Sequence, residues 1–421
     1  MRRLPARTVY YGIELFDGLG WWASVSVFAV YYVQTLHLNP FELVIVGTVM
    51  EGTIFLFEVP TGVIADTFSR RASVIVGLAL QGSGLVLTGA VPSFAAALAA
   101  AVIFGVGATC LSGAYEAWIA DEVGREELAR TFLRGSQFAY AGAIAGVVLG
   151  VAIATKHLGT AVAAGGAIEI GVAVGCVFVM PETAFRRRET EQRASPLAEL
   201  KSTAVAGTRL VRAQTLLLLI VAIAFFAGMA SEGIDRLWEA HLIRDVGLPS
   251  LAGLDPVVWF GVINVAGLAL GIVVTSLLVP RFEHADNSLL ARSLLVLIVA
   301  LSTAVVVFGL AGAFALALVA YMVVRLVRRI IDPLFMTWLN RNIDDSSVRA
   351  TVISMTNQSD AVGEFAGGPM IGAVGALASL RAALLASGFL LAPAIALYAR
   401  ALRHGGKEPE LEQLPAPVEA V

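Results

Sequence analysis

Charge is scarce in this sequence, and the shortage excludes an ordinary water-soluble domain. Asp, Glu, Lys and Arg together make up 14% of the 421 residues, against about 25% in an average soluble domain. Hydrophobic residues make up 58%. Apolar runs of about 20 residues, which is the length of a membrane-spanning helix, recur between Val9 and Tyr398. The composition therefore predicts a polytopic helical membrane protein.

Motifs for metal, nucleotide and redox chemistry are missing as well. Cysteine occurs only at Cys110 and Cys176, both inside apolar runs, which indicates buried thiols rather than a disulfide framework. The five histidines are scattered, without an HExxH motif, and there is no phosphate-binding loop. No basic stripe indicates a nucleic-acid partner. We therefore expect no metal, no cofactor and no enzymatic activity; an intramembrane enzyme and a non-transporting receptor or scaffold remain alternatives.

Twelve apolar segments, separated by Gly, Pro and charge clusters, predict twelve transmembrane helices. They divide into two six-helix halves, 1–180 and 214–402, with a charged cytoplasmic loop at 181–213 and a polar, disordered cytoplasmic tail at 403–421. Loops at the membrane face opposite the termini hold only three basic residues: Lys156, Arg244 and Arg381. Because cytoplasmic loops collect Lys and Arg, this asymmetry predicts a cytoplasmic (inner) membrane protein with both termini inside.

Internal similarity between the halves supports the count of helices. "QFAYAGAIAG" at 137–146 and "QSDAVGEFAG" at 358–367 share Gln, Gly, Ala and Gly at a spacing of 221. "ELFD" at 14–17 is matched with "EGID" at 232–235, at a spacing of 218. The ordered matches indicate two six-helix pseudo-repeats.

The repeat also decides how "VRLVRRIIDP" at 324–333 is interpreted. Its counterpart in the first half ends at the cytoplasmic face, so this segment is predicted to continue a spanning helix, with its three arginines on one face. A helix that ends early and leaves a loop at 325 is the alternative. Asp332 is close enough in sequence to hold Arg328 and Arg329, whereas Arg325 needs a partner elsewhere, for which Asp17 is a candidate.

A short motif lies between the second and third segments, where the sequence reads "GVIADTFSRR". Four of its residues match the signature of the major facilitator superfamily at that place, and Thr67 departs from it: the matching residues are Gly62, Asp66, Arg70 and Arg71. Together with twelve helices in two halves, the chain resembles this superfamily. The resemblance implies an all-α major facilitator fold and a cytoplasmic gate built from the four motif residues, with Gly62 at a close helix approach and Asp66 facing the start of helix 11 near Thr351.

The resemblance further implies a central cavity lined by helices 1, 4, 7 and 10. The antiporter signature of helix 5 is poorly matched, because the glycine spacing is present without the proline. Charged side chains inside apolar segments are costly and should face the bundle interior or water. The candidate proton and substrate pathway therefore comprises the intramembrane charges Glu14, Asp17, Glu51, Glu58, Glu116, Asp235, Arg236, Arg325 and Arg328. Trp22 and Trp238 are the aromatic cavity candidates.

These features predict a monomeric secondary active transporter that works by alternating access. Its expected partners are a small-molecule substrate, protons and the lipid bilayer. We expect a desolvated Asp17, Glu14 or Glu51 to exchange protons near neutral pH, which favours proton-coupled export of an amphipathic molecule, as in multidrug or natural-product efflux. Mutual pairing that holds or gates the bundle is the other role for these charges. The alternative function is transport of an anionic metabolite or lipid-like solute that binds to the helix 10 arginines.

Overall fold

The computed structural model describes residues 3–185, 214–249, 255–282, 285–343 and 346–405, and every regular element in these ranges is a helix. The N-terminal half consists of α1 (Ala6–Val25, continued by Phe28–Val30 and Tyr31–Thr35), α2 (Pro40–Thr67), α3 (Arg70–Ala90), α4 (Phe94–Leu111 and Ala114–Val123), α5 (Arg125–Ala154) and α6 (Leu158–Val179). The C-terminal half consists of α7 (Thr215–His241, continued by Leu242–Val246), α8 (Pro256–Leu278, then Val279–Phe282), α9 (Asn287–Leu310), α10 (Phe314–Arg341), α11 (Ser346–Leu377) and α12 (Leu380–Leu390 and Ala392–Gly405). Beyond Phe185 and Gly405, the predicted central loop at 181–213 and the predicted tail at 403–421 lie outside the described residues.

Ten of the described helices are long and apolar enough to cross a membrane. The two others, α10 and α11, reach 28 and 32 residues but are more polar, since α10 carries the three arginines. Both pack inside the bundle, α10 against α9 and α8, and α11 against α7 and α2. The segment 324–333 is thus continuous helix, and the alternative with a loop at 325 is wrong.

Polar caps begin several helices and keep the connections short. Asn39 accepts a hydrogen bond from the N–H of Glu42 at 3.0 Å, while Glu42 accepts one from the N–H of Asn39 at 2.8 Å. This capping box starts α2 at a proline, whose missing N–H costs nothing at the first helical position. Serine side chains cap α3, α4 and α12 in the same way: Ser69, Ser93 and Ser379.

Glycines bring α5 onto α1, and α11 onto α7, in the same manner. A Cβ atom at Gly142 would collide with the carbonyl oxygen of Leu15, and one at Gly363 would collide with that of Phe225. Small residues permit such backbone approaches between membrane helices. The two glycines correspond at the spacing of 221 that the sequence indicates.

The same contacts give α1 and α7 a different spacing from the predicted one. Leu15 on α1 corresponds to Phe225 on α7, at a spacing of 210. Gly18 and Gly228 have the same spacing, and a Cβ atom at either glycine would collide with a carbonyl oxygen of the partner helix. The spacing of 218 drawn from "ELFD" and "EGID" is therefore wrong by about two helical turns. Asp17 therefore corresponds to Ala227 rather than to Asp235. Close backbone packing fixes the register of the two helices, whereas a pair of acidic residues can be aligned at more than one spacing.

The halves meet along two seams at the end of the bundle away from the termini. On α2 and α11, a Cβ atom at Gly368 would collide with the side chain of Thr48. On α8 and α5, a Cβ atom at Gly261 would lie 2.6 Å from Cγ2 of Val151. The repeat relates the two seams, because α2 corresponds to α8 and α5 to α11. The N-terminal half contributes α2 and α5 to the contact, and the C-terminal half contributes α8 and α11.

A polar contact closes the rim at that end. Arg244 donates a hydrogen bond to the carbonyl oxygen of Leu38 at 2.8 Å, across the two halves. Leu38 follows the π-helical turn Tyr31–Thr35 at the end of α1, and Arg244 lies in the π-helical turn Leu242–Val246 at the end of α7. Such turns are rare and frequently mark functional positions.

Candidate functional site

Two cavities adjoin each other near the middle of the bundle, between the halves. Each has a volume of about 390 Å³, and four residues line both: Trp21, Val25, Asp235 and Glu239. The first, the aromatic chamber, is enclosed by α1 to α4 together with α7 and α11. The second, the charged chamber, lies among α1, α7, α8 and α10. The shared residues therefore form a common wall between the two cavities.

Rings cover one side of the aromatic chamber. The ring centroids of Trp21 and Phe104 are 5.2 Å apart, and Phe28 and Tyr32 stack at 5.6 Å. Acidic residues from three helices line the same chamber: Glu51, Glu232, Asp235, Glu239 and Glu364. An apolar wall with a few polar groups opposite is the usual design of a small-molecule site, and aromatic faces attract organic cations.

Arginines of α10 line the charged chamber. Arg325 donates a hydrogen bond to Oδ1 of Asn264 at 3.1 Å, and its guanidinium carbon lies 5.9 Å from the ring centroid of Tyr321. That ring stacks on Trp238 with a centroid separation of 4.0 Å. Arg325 and Arg329 form no ion pair with any residue in the described ranges. Both arginines line this chamber.

Arg236 connects the two halves through carboxylates. Its Nη2 atom lies 3.5 Å from Oε1 of Glu51 on α2, and its Nε atom lies 3.6 Å from Oε2 of Glu232 on α7. The guanidinium lies directly over Gly47, where a Cβ atom would collide with it. Glu232 is only 2% exposed. An ion pair that spans both halves must lengthen or break when the halves separate at this level.

Arg328 is held by α7 and not by its own helix. It forms a two-pronged pair with Asp235, in which Nη2 lies 2.9 Å from Oδ2 and Nη1 contacts Oδ1. The expectation that Asp332 holds Arg328 is wrong, because the carboxylate of α7 offers the fork geometry that a guanidinium prefers. The suggested partnership of Arg325 with Asp17 is also wrong, since α8 lies beside α10 and supplies Asn264 instead.

The predicted pathway residues fall into two groups. Those that line the chambers are Glu51, Asp235, Arg236, Arg325, Arg328, Trp22 and Trp238. Those outside the chamber linings are Glu14, Asp17, Glu58 and Glu116. Glu58 accepts a hydrogen bond from the Ser112 hydroxyl at 2.7 Å, at the break between the two pieces of α4. The structure thus brings together Glu51 of α2 and the charges of α7 and α10, but places Glu58 and the acids of α1 and α4 elsewhere.

Several chamber residues were not among the predicted ones. Trp21 lines both chambers, whereas the residue predicted from the sequence was its neighbour Trp22. Glu239 lies on the shared wall, and Asn264 and Tyr321 complete the charged chamber. A usable signal existed for Asn264, which interrupts the otherwise apolar run of α8. No such signal distinguished Trp21 from Trp22, because which of two adjacent residues faces a cavity depends on how the helix is rotated about its axis.

The motif at 62–71 lies at the end of the bundle that carries the termini. Arg70 pairs with Asp66 at 3.2 Å and also with Asp121 of α4. The backbone N–H of Arg71 donates to Glu182 at 2.9 Å, which fixes the start of the central connection to the N-terminal half.

Two details of the expected gate differ from the structure or lie beyond it. A Cβ atom at Gly62 would meet nothing within 4 Å in the described part of the chain, so the expected close helix approach at this glycine is wrong for this conformation. The pairing of Asp66 with α11 near Thr351 stays a prediction, because the side chain of Thr351 lies outside the described residues.

Comparisons with known proteins agree on one family. The model of the Major Facilitator Superfamily matches residues 11–357. A curated relative from Bacillus subtilis (strain 168), described as an uncharacterized MFS-type transporter, YxaM, is 23% identical over 409 residues, which cover 92% of this chain and 94% of the relative.

Solved structures of transporters share the fold. A mutant of the nucleoside transporter NupG superposes with a TM-score of 0.78 at 12% identity, covering 96% of this chain and 100% of that one. A bacterial homolog of the human lysosomal transporter Spinster, in an inward-facing and unoccupied conformation, gives a TM-score of 0.71 at 15% identity, covering 94% and 96%. A peptide transporter of the POT family with bound sulfate gives 0.72 at 15% identity, covering 95% of each. At these identities the likeness shows the fold alone.

Proposed function

Because the chain belongs to the major facilitator superfamily, we propose that it is a secondary active transporter that exports a small amphipathic molecule in exchange for protons. The predicted superfamily resemblance and the all-α major facilitator fold are confirmed. The substrate class, the proton coupling and the direction are our proposal. So are the cytoplasmic membrane, the cytoplasmic termini and the monomeric state.

The observation that carries the proposal is the joined pair of chambers between the halves. An alternating-access transporter needs its binding site at the interface of its two repeats, near the middle of the membrane. The shared wall at Asp235 and Glu239 lies between residues of the two halves. The rings of the aromatic chamber accept an apolar body, and the carboxyl groups opposite accept a proton or a cationic group.

The seams support an inward-facing conformation. Contacts of α2 with α11 and of α5 with α8 lie at the end away from the termini, as does the bond from Arg244 to Leu38. Arg70 and Arg71 lie at the other end, and clusters of basic residues favour the cytoplasmic side. On that orientation the closed end faces outward, and the pathway is available from the cytoplasm.

Uptake into inverted membrane vesicles tests this function. With tetraphenylphosphonium as the probe and the membrane potential clamped at zero, acidifying the vesicle lumen should drive accumulation of the probe. Vesicles that carry Asp235→Asn serve as the comparison and should lose at least tenfold of this uptake. Wild-type uptake that does not respond to the pH gradient would contradict proton-coupled export.

A second candidate function is transport of an amphipathic anion. The observation that favours it is the absence of an ion pair at Arg325 and Arg329 within the described residues, since a cation in a partly apolar chamber suits an anionic ligand. A ligand that binds the folded state raises the temperature of unfolding. Dodecanoate should stabilise the wild type and Arg292→Gln, an exposed control on α9, but not Arg325→Gln. Equal stabilisation of all three would exclude this site.

A further inference from the structure

Helix α6 carries a carboxyl group that neither chamber uses. Glu169 is 1% exposed, and its Oε2 atom has no hydrogen-bond partner. A Cβ atom added at Gly20 of α1 would lie 3.1 Å from Cγ of this glutamate. The missing side chain at Gly20 therefore leaves the space between α1 and α6 into which Glu169 extends.

No cation among the described side chains of the surrounding helices compensates Glu169. On α3, Arg70 and Arg71 occupy the first turn, and their guanidinium groups bond to Asp121 and to the carbonyl oxygen of Val177, respectively. The basic residues described on α1 and α5 lie near the helix starts, where Arg7 pairs with Glu127 and the others are exposed: Arg130 and Arg134. The charged group that acts on Glu169 is a second acid, Asp17, one turn along α1 from Gly20, and Glu14 acts in turn on Asp17. An isolated ionised carboxylate is very costly in an apolar interior, and a like charge nearby adds to that cost.

We propose that Glu169 and Asp17 form a proton-binding site between α1 and α6, separate from the substrate chambers, and that the proton held there is the one exchanged for substrate. This inference rests on the proton coupling proposed above and assigns its location. A proton bound to the pair lowers its uncompensated negative charge. Releasing the proton leaves two like charges between packed helices, which favours a change in how α1 and α6 pack.

Helix α1 connects this site to the substrate. Trp21 lines both chambers and lies one turn from Asp17 on the same helix. A shift of α1 in response to protonation would therefore move the ring wall of the aromatic chamber. Because the two sites are separate but lie on one helix, proton binding can weaken substrate binding without both competing for the same carboxylate.

Infrared spectroscopy of the full-length protein in lipid bilayers tests the proton site without any substrate. At neutral pH the wild type should show the C=O stretching band of a protonated carboxylic acid. Glu169→Gln, which keeps the shape of the protonated side chain, should lower the intensity of that band, whereas Glu126→Gln, an exposed glutamate at the start of α5, should leave it unchanged. A band of unchanged intensity in Glu169→Gln would overturn the proposal.

Transport measurements test the coupling. Glu169→Gln should exchange tetraphenylphosphonium at equal pH at the wild-type rate but lose at least tenfold of the accumulation driven by an acidic lumen. Retained pH-driven accumulation in this variant overturns the proposal. If the wild type itself shows no pH-driven transport, the proposed proton coupling fails and the coupling role of Glu169 fails with it, while the infrared band reports independently on the bound proton. Should Glu169→Gln not fold, Asp17→Asn must change the pH at which the band appears; an unchanged titration overturns the pair.

Discussion

The two halves share a scaffold but differ in how their charges are compensated. Two acids of α7 in the C-terminal half pair with arginines, Glu232 with Arg236 and Asp235 with Arg328. The acids of α1 and α6 in the N-terminal half form no described ion pair with a cation: Glu14, Asp17 and Glu169. The glycine contacts of α5 on α1 and of α11 on α7 are nevertheless equivalent. The repeat therefore fixes the packing, and each half places a different chemistry on it.

That difference has a physical consequence for the transport cycle. A carboxylate beside a guanidinium is stabilised in its ionised form, whereas one without a cation in apolar surroundings is favoured with a proton. Under the proposed function, the acids of α1 and α6 are thus suited to carry protons, and the ion pairs of α7 to hold fixed charges around the substrate. The pair of Arg236 with Glu51 is the one ion pair between the halves within the described ranges. A change in its geometry therefore couples the charges of one half to those of the other.

The shared scaffold predicts equal damage when either glycine contact is filled. Gly142→Ala and Gly363→Ala should each lower the free energy of unfolding by about 2 kcal/mol, because the added methyl group meets a backbone carbonyl oxygen that cannot move aside. Thermal unfolding of the purified variants measures the loss.

Two open glycines of the same fold provide the matched controls. A Cβ atom at Gly12 or Gly171 would meet nothing within 4 Å in the described part of the chain. Gly12→Ala and Gly171→Ala should be neutral or raise stability by about 0.5 kcal/mol, since alanine favours the helix. A large loss in only one of Gly142→Ala and Gly363→Ala would break the equivalence of the halves.

Much of the scaffold was predictable, because membrane crossing imposes a length and an apolar composition that a sequence displays directly. Helix α10 could be recognised despite its arginines, since the repeat demanded it. The register of α1 against α7 was not predictable, because it depends on which glycines touch a neighbouring backbone, and acidic pairs such as "ELFD" carry no such information. Ion-pair partners were equally hidden: Arg328 had a carboxylate nearby in sequence, but the neighbouring helix α7 presented Asp235 in better geometry.

The difference in charge compensation predicts a second, smaller contrast. Arg328→Gln leaves Asp235 without its cation and should cost about 1.5 kcal/mol of stability, less than for a fully buried pair because the two side chains are 38% and 41% exposed. Asp17→Asn breaks no described ion pair and should cost less than about 0.5 kcal/mol. The double variant Asp235→Asn with Arg328→Gln should recover part of the loss. A destabilisation by Asp17→Asn equal to that by Arg328→Gln would remove the distinction between the halves.

Neighbouring tryptophans of α1 test how far the N-terminal half also contacts substrate. Trp21 lines both chambers and packs on Phe104, whereas Trp22 lines only the charged chamber among the cavities described here. Trp21→Leu should weaken binding of tetraphenylphosphonium about tenfold through loss of an aromatic face, and Trp22→Leu about threefold or less. Equilibrium binding to the purified protein in detergent measures both. A larger effect at Trp22 would place the substrate on the arginine side of α1.

The smallest expected effect concerns the rim where the halves close. Arg244 is exposed, so losing its bond to the carbonyl oxygen of Leu38 should cost about 0.5–1 kcal/mol, which corresponds to a two- to fivefold shift toward the conformation open at that end. Arg244→Gln should therefore increase, by the same factor, the labelling of Val46→Cys by a maleimide added from that side, because Val46 lines the aromatic chamber. Arg381→Gln removes a charge at the same end without removing a described bond and should leave the rate unchanged. An equal rise in both variants would mean that surface charge, and not the bond between the halves, sets the closure.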